Sequence, residues 1–106
     1  MTRAPAHPKP DHAVITLLSI KLLLRGCSSL KDKRSQLQPL MVRLRKQFNI
    51  AVAETDLQDY WQSAIISCVL VSNDAQLNNH ACSEIIEFIT GHHPDLEIDE
   101  YQTEYR

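Results

Sequence analysis

Lys31, Lys33, Arg34, Arg43, Arg45 and Lys46 crowd one stretch of the 106-residue chain. Lysine and arginine at that density can neutralise RNA phosphates and release their condensed counterions. At helical spacing Lys31, Arg34, Arg43, Arg45 and Lys46 fall mostly away from the apolar positions Leu37, Leu44 and Phe48, so a helix would present them to solvent. Lys21 and Arg25 add charge nearby. No aromatic residue interleaves with the set, and the aromatic strand signature of an RRM domain is missing. RNA contact would therefore be led by backbone and shape. The plainer alternative is a solvated helix face, ion-paired to acidic side chains elsewhere in the chain. Such partners exist: the formal net charge of -2 conceals +8 over residues 1–48 and -10 over residues 49–106. The two halves can attract each other within one domain, or leave a polar molecule with a basic face.

Three further groups carry weaker chemistry. Glu54, Asp56 and Asp59 could offer oxygen ligands to a divalent cation, with Glu54 and Asp56 on one strand face. Yet no histidine or phosphate loop joins them, and carboxylates at a strand end more often satisfy backbone amides or basic neighbours. Trp61 beside them reads as a packing anchor for the turn rather than a stacking platform. His92 and His93 adjoin at a helix end and point different ways. Protonated, they would complement the helix C-terminus, and with His80 they make no metal set. Cys27, Cys68 and Cys82 lack paired spacing, and Cys68 reads as a small core hydrophobe. No catalytic constellation emerges. The chain reads as non-enzymatic, with no cofactor and no metal.

Periodicity locates the elements that would hold these residues. Residues 1–12 carry three of the five prolines and little to bury, which predicts a disordered tail before a single domain over 13–106. Ala13 to Leu24 alternates, with Val14, Leu18, Ile20, Leu22 and Leu24 on one side and Ser19 and Lys21 on the other: a strand with one face on the core. Ser29 followed by Asp32 resembles a capping box, and Leu37, Leu40, Met41, Leu44 and Phe48 form a helical stripe after it. Pro39 inside that stripe predicts a kink, or a weak first turn with the regular helix beginning near the proline. Ile50–Asp56 and Ala64–Ser72 read as a hairpin of strands. Asn73, with Gln76 as its partner, should cap a second helix that buries Leu77, Ala81, Ile85, Phe88 and Ile89 and ends at Gly91. Leu96–Tyr105 is a last, acidic strand.

That order predicts an α+β, ferredoxin-like split βαβ fold (βαββαβ), a four-stranded antiparallel sheet with two helices on one face. If Ala64, Ile66, Cys68 and Leu70 face the helices, Ile65, Val69 and Val71 face away. An apolar open sheet face wants a cover, and a homodimer joined sheet to sheet would supply one.

The motifs SLKDKR, RLRKQFNIAVAE, D-x-x-D-x-W-Q and VSND, in that order, resemble the bacterial YlxP-like family, a domain of unknown function. The likeness runs from about Ala13 to Glu104. It implies the ferredoxin-like fold and, because genes of the family often lie beside those for a translation initiation factor and a ribosome-binding factor, a link to translation or ribosome maturation. It supplies no activity and no catalytic residue. Pro39 departs from the family's unbroken helix.

An odd cysteine count and no apolar N-terminal segment predict a cytoplasmic protein with reduced thiols. The longest apolar stretch, 13–24, is interrupted by Thr16, Ser19 and Lys21 and is too short to span a membrane. The expectation is an accessory protein that binds RNA or ribosomal components through Lys31, Arg34, Arg43, Arg45 and Lys46. The alternative is an interaction or oligomerisation module, centred on Ile65, Val69 and Val71, that never touches nucleic acid.

Overall fold

A computed structural model describes residues 12–106, so the expected tail lies outside the described residues apart from His12. The chain runs β1 (Val14–Leu23), α1 (Leu30–Gln47), β2 (Ala51–Asp56), β3 (Ser63–Ser72), α2 (Ala75–His92) and β4 (Glu97–Tyr105). The strands form one antiparallel sheet in the order β2-β3-β1-β4, the expected ferredoxin-like arrangement.

Strict alternation on the two central strands divides the sheet into a covered and an open face. Thr16, Leu18, Ile20 and Leu22 of β1 and Ala64, Ile66, Cys68 and Leu70 of β3 are buried. They meet in register, Leu18 opposite Cys68 and Ile20 opposite Ile66. Leu37, Leu40, Met41 and Leu44 of α1 and Cys82, Ile85 and Ile89 of α2 close over them. Each fully buried leucine or isoleucine contributes roughly 1.5–3 kcal/mol relative to exposure.

The start of α1 is capped as its residues predict. Ser29 Oγ accepts from the Asp32 amide at 3.0 Å, and the Asp32 carboxylate accepts from the Ser28 amide and hydroxyl at 3.1 and 2.8 Å. These bonds hold the Asp32 carboxyl below its ordinary pKa. The helix starts at Leu30 and continues through Pro39, so the delayed start does not occur. The cap secures the first turn, and buried Leu37, Leu40 and Met41 clamp the chain on both sides of the proline. Ser35 and Pro39 are both exposed, so the carbonyl that loses its donor faces water.

The second helix departs from expectation at both ends. Asp74, not Asn73, is the cap, its carboxylate accepting from the Gln76 amide at 2.8 Å. Leu77 is 56 % exposed, and Asn78 takes the buried place, donating to the Val14 carbonyl at 3.1 Å and Thr16 Oγ1 at 3.0 Å. Gly91 lies inside the helix, which ends one residue later with the His93 amide bonded to the Ile89 carbonyl. Among the described residues no helix is long and apolar enough to cross a membrane.

Candidate nucleic-acid interface

Lys31, Arg34, Arg43, Arg45 and Lys46 are all exposed on α1. Among the described residues, none lies within ion-pairing distance of a carboxylate. The three other basic residues between β1 and the end of α1 are all paired: Lys21 with Asp99 at 3.6 Å, Arg25 with Glu97 at 3.2 Å and Lys33 with Glu54 at 2.7 Å. The acidic half thus neutralises the cations of β1, of the connection after it and of the buried side of α1. The outward cations of α1 are left without a carboxylate partner among the described residues.

Those five do not form one patch. Lys31, Arg34 and Arg45 recur at helical spacing along one flank, about 21 Å from first to last at 1.5 Å per residue, with Lys46 beside them. Arg45 leans toward the sheet edge and donates to the Val52 carbonyl of β2 at 3.0 Å. Arg43 projects from the opposite flank and sits 3.3 Å from His93 Nε2. An arginine can donate to that nitrogen only when it is unprotonated. Burial, then the nearby Arg43 charge, pushes the His93 pKa down. His93 therefore does not play the protonated, dipole-complementing part expected of it. His92 Nδ1 lies 3.1 Å from the Phe88 carbonyl.

Lys33 leaves the basic set altogether. Its side chain is 2 % exposed and runs inward from α1, placing Nζ 2.7 Å from Glu54 Oε2 and donating to the Leu57 carbonyl at 2.7 Å. The Glu54 contact is an ion pair without hydrogen-bond alignment, since Oε2 is buried and accepts no hydrogen bond of good geometry. Leu57 sits at φ 60, the left-handed region that branched side chains seldom occupy. Its carbonyl is clamped by the Lys33 ammonium and by the Tyr60 amide at 3.0 Å. The signal was in the sequence: Lys33, Leu37, Leu40 and Leu44 share one helical stripe.

The acidic cluster disperses for a related reason. A register shift between Glu54 and Asp56 breaks the alternation that would have put both on one face. Glu54 is committed to Lys33, while Asp56 Oδ1 accepts from the Leu57 amide at 2.8 Å. Trp61 is no packing anchor. It is 51 % exposed beside Tyr60 at 61 %. Instead Gln62 holds the turn, donating from Nε2 to the Cys27 carbonyl at 3.1 Å and accepting the Leu24 amide at its own carbonyl at 2.9 Å. Cys68 is fully buried as expected, its thiol pushed up to about 12 by burial.

On the open sheet face Val69 and Val71 are 37 % and 61 % exposed, and Ile65 is half-buried. The register separates them. Val69 sits between Leu17 and Ala51 in a row that ends at Glu104 of β4, and Val71 lies opposite Ile15, so Ile15, Leu17, Val69, Val71 and Ala51 adjoin on the β2, β3 and β1 part of the face. Ile65 lies in a row with Lys21 and Glu100, a more polar setting.

Comparison with known proteins adds a family and a fold. The family model described as "Protein of unknown function (DUF503)" matches residues 15–103. The chain is 25% identical over 92 residues to "Uncharacterized protein YlxP" of Bacillus subtilis (strain 168), covering 87% of this chain and 99% of that one. Among solved structures, the de novo designed protein Foldit4 aligns with a TM-score of 0.52 at 13% identity, covering 89% of this chain and 98% of that one. The crystal structure of protein SO0527 from Shewanella oneidensis aligns with a TM-score of 0.49, also at 13% identity, over 89% and 88%.

Proposed function

For a chain that belongs to the family described as Protein of unknown function (DUF503), we propose a non-enzymatic accessory role: binding RNA or ribosomal components in the cytoplasm through the outward face of α1. One observation carries this reading. The chain has 13 acidic against 11 basic residues, so carboxylates are in surplus. Yet Lys31, Arg34, Arg43, Arg45 and Lys46 have none within ion-pairing distance among the described residues. Unneutralised cations repeated along a rigid helix suit a ligand that is itself a repeating array of charge. The resemblance to a family whose genes accompany translation factors favours the same ligand class.

Titration of the protein with structured RNA tests this. Four phosphate contacts, from Lys31, Arg34, Arg45 and Lys46, predict an affinity falling on the order of a hundredfold between 50 and 200 mM salt. No binding at the lower salt overturns the reading.

A second reading has its own observation. The apolar region of Ile15, Leu17, Ala51, Val69 and Val71 on the open sheet face favours a homodimer joined through that face. A protein that is monomeric at tens of micromolar by light scattering removes it.

A further inference from the structure

We infer that the loop between β2 and β3 is a stacking platform for unpaired RNA bases, with Tyr60 and Trp61 as its two faces. This rests on the RNA reading of α1 and names the part of an RNA that the protein takes. The two residues are consecutive in sequence and more than half exposed, and among the described residues neither the Tyr60 hydroxyl nor the Trp61 indole N–H has a hydrogen-bond partner. Tyr105, by contrast, spends its hydroxyl on Asn79 Oδ1.

The loop that carries them is fixed. Leu57 holds its uncommon backbone under the Lys33 ammonium and the Tyr60 amide, and Gln62 ties the far side to Cys27 and Leu24. Aromatic rings presented by a fixed loop bind with little ordering cost. Bases stack on such rings whatever their identity, because every base has a π-face.

Charge assigns the two parts of a nucleotide to different places. Asp56 and Asp59 precede the aromatic pair and residues 57–62 contain no cation, so the loop repels phosphate but tolerates a neutral base. The cations lie on α1, and Lys33 joins the first turn of that helix directly to the loop. Lys31 and Arg34 stand within one turn of that joint. A backbone tracked by α1 can therefore deliver bases to Tyr60 and Trp61. Bases already paired in an A-form helix cannot reach them, so the segment must be unpaired.

Trp61 is the single tryptophan of the chain, so its fluorescence reports the contact directly. The test titrates wild-type protein with a mixed-sequence single-stranded RNA of roughly ten nucleotides, and with the same strand annealed to its complement. The single strand should quench Trp61 emission and the duplex should not. Trp61→Ala should bind the single strand about tenfold more weakly with an unchanged salt slope, and Trp61→Phe should restore most of the affinity. Quenching is read on the wild type, so the result stands even if Trp61→Ala melts early. RNA binding without quenching, and with full affinity in Trp61→Ala, overturns the platform and leaves the α1 reading in place. A wild type that binds neither RNA at low salt overturns both.

Discussion

The inward and outward faces of α1 carry the same kind of side chain in opposite circumstances. Lys33 is 2 % exposed, paired with Glu54 and bonded to the Leu57 carbonyl. Arg34, the next residue, is exposed and has no partner among the described residues. The difference teaches that a cation's role is set by what it touches. Lys33 cannot engage a ligand without stranding the buried Glu54 Oε2, whereas Lys31, Arg34 and Lys46 can exchange water for phosphate at little structural cost. The sheet repeats the contrast, its helix-covered face filled and its other face open over Leu17 and Val69.

The largest effect should come from breaking the inward pair. Glu54→Gln leaves the buried Lys33 ammonium with neutral oxygens, of the Leu57 carbonyl and of the new amide, and no counter-charge, which should lower stability by about 3 kcal/mol in denaturant unfolding. RNA affinity of the folded fraction should not change, because the outward cations are untouched. A loss under about 0.5 kcal/mol, the range of ordinary surface substitutions, would mean that the pair holds nothing together.

The open sheet face comes next. Val69→Lys places charge in the row with Leu17 and Ala51 and should weaken a dimer at least about tenfold by light scattering, since symmetry introduces the charge twice. Ile65→Lys, beside Lys21 and Glu100, should do less. Equal effects from the two would show that the register does not divide the face.

Pro39→Ala sharpens the comparison within α1. It supplies a donor for the Ser35 carbonyl and removes a ring clash on the exposed side, so stability should rise by about 1 kcal/mol in thermal unfolding with RNA binding unchanged. A fall would show that the proline supports the helix as built.

The smallest effect concerns the cap. The hydrogen bonds from Ser28 hold the Asp32 pKa below its ordinary value of 3.8. The stability it contributes is therefore present above that value and lost as pH falls through the lower, folded-state pKa. Asp32→Asn removes that one contribution, so its melting temperature should lie closer to that of the wild type in acid than at neutral pH. A constant gap between the two would contradict the linkage.

Much of the fold was legible because β1 and β3 alternate strictly and Ser29 and Asp32 announce a cap. The second helix was less so for a local reason. Asn73 and Asp74 can both cap, and the choice moves the start by one residue, a rotation of about 100°. With Asn78 inward, a polar residue occupies a core position for the sake of Val14 and Thr16 on a strand far away in sequence. No local pattern carries that information. The outward cations were legible because solvent-facing helical positions follow from the apolar stripe. Lys33 stood apart from that outward set in its spacing, but its pairing with Glu54 and with the Leu57 carbonyl, residues more than twenty positions away, is not carried by any local pattern. The exposure of Trp61 depended on Gln62 and Lys33 holding the turn in its place, a long-range arrangement that spacing does not reveal.

The central claim is that the outward face of α1 binds phosphate. Arg34→Glu combined with Lys46→Glu tests it most directly, since neither side chain has a partner among the described residues whose loss would disturb the fold. Filter binding of structured RNA across a salt series, with melting temperatures on the same samples, reads both quantities. The account predicts weaker binding, a salt slope shallower by roughly two units and a nearly unchanged melting temperature. Affinity and slope equal to those of the wild type would contradict it.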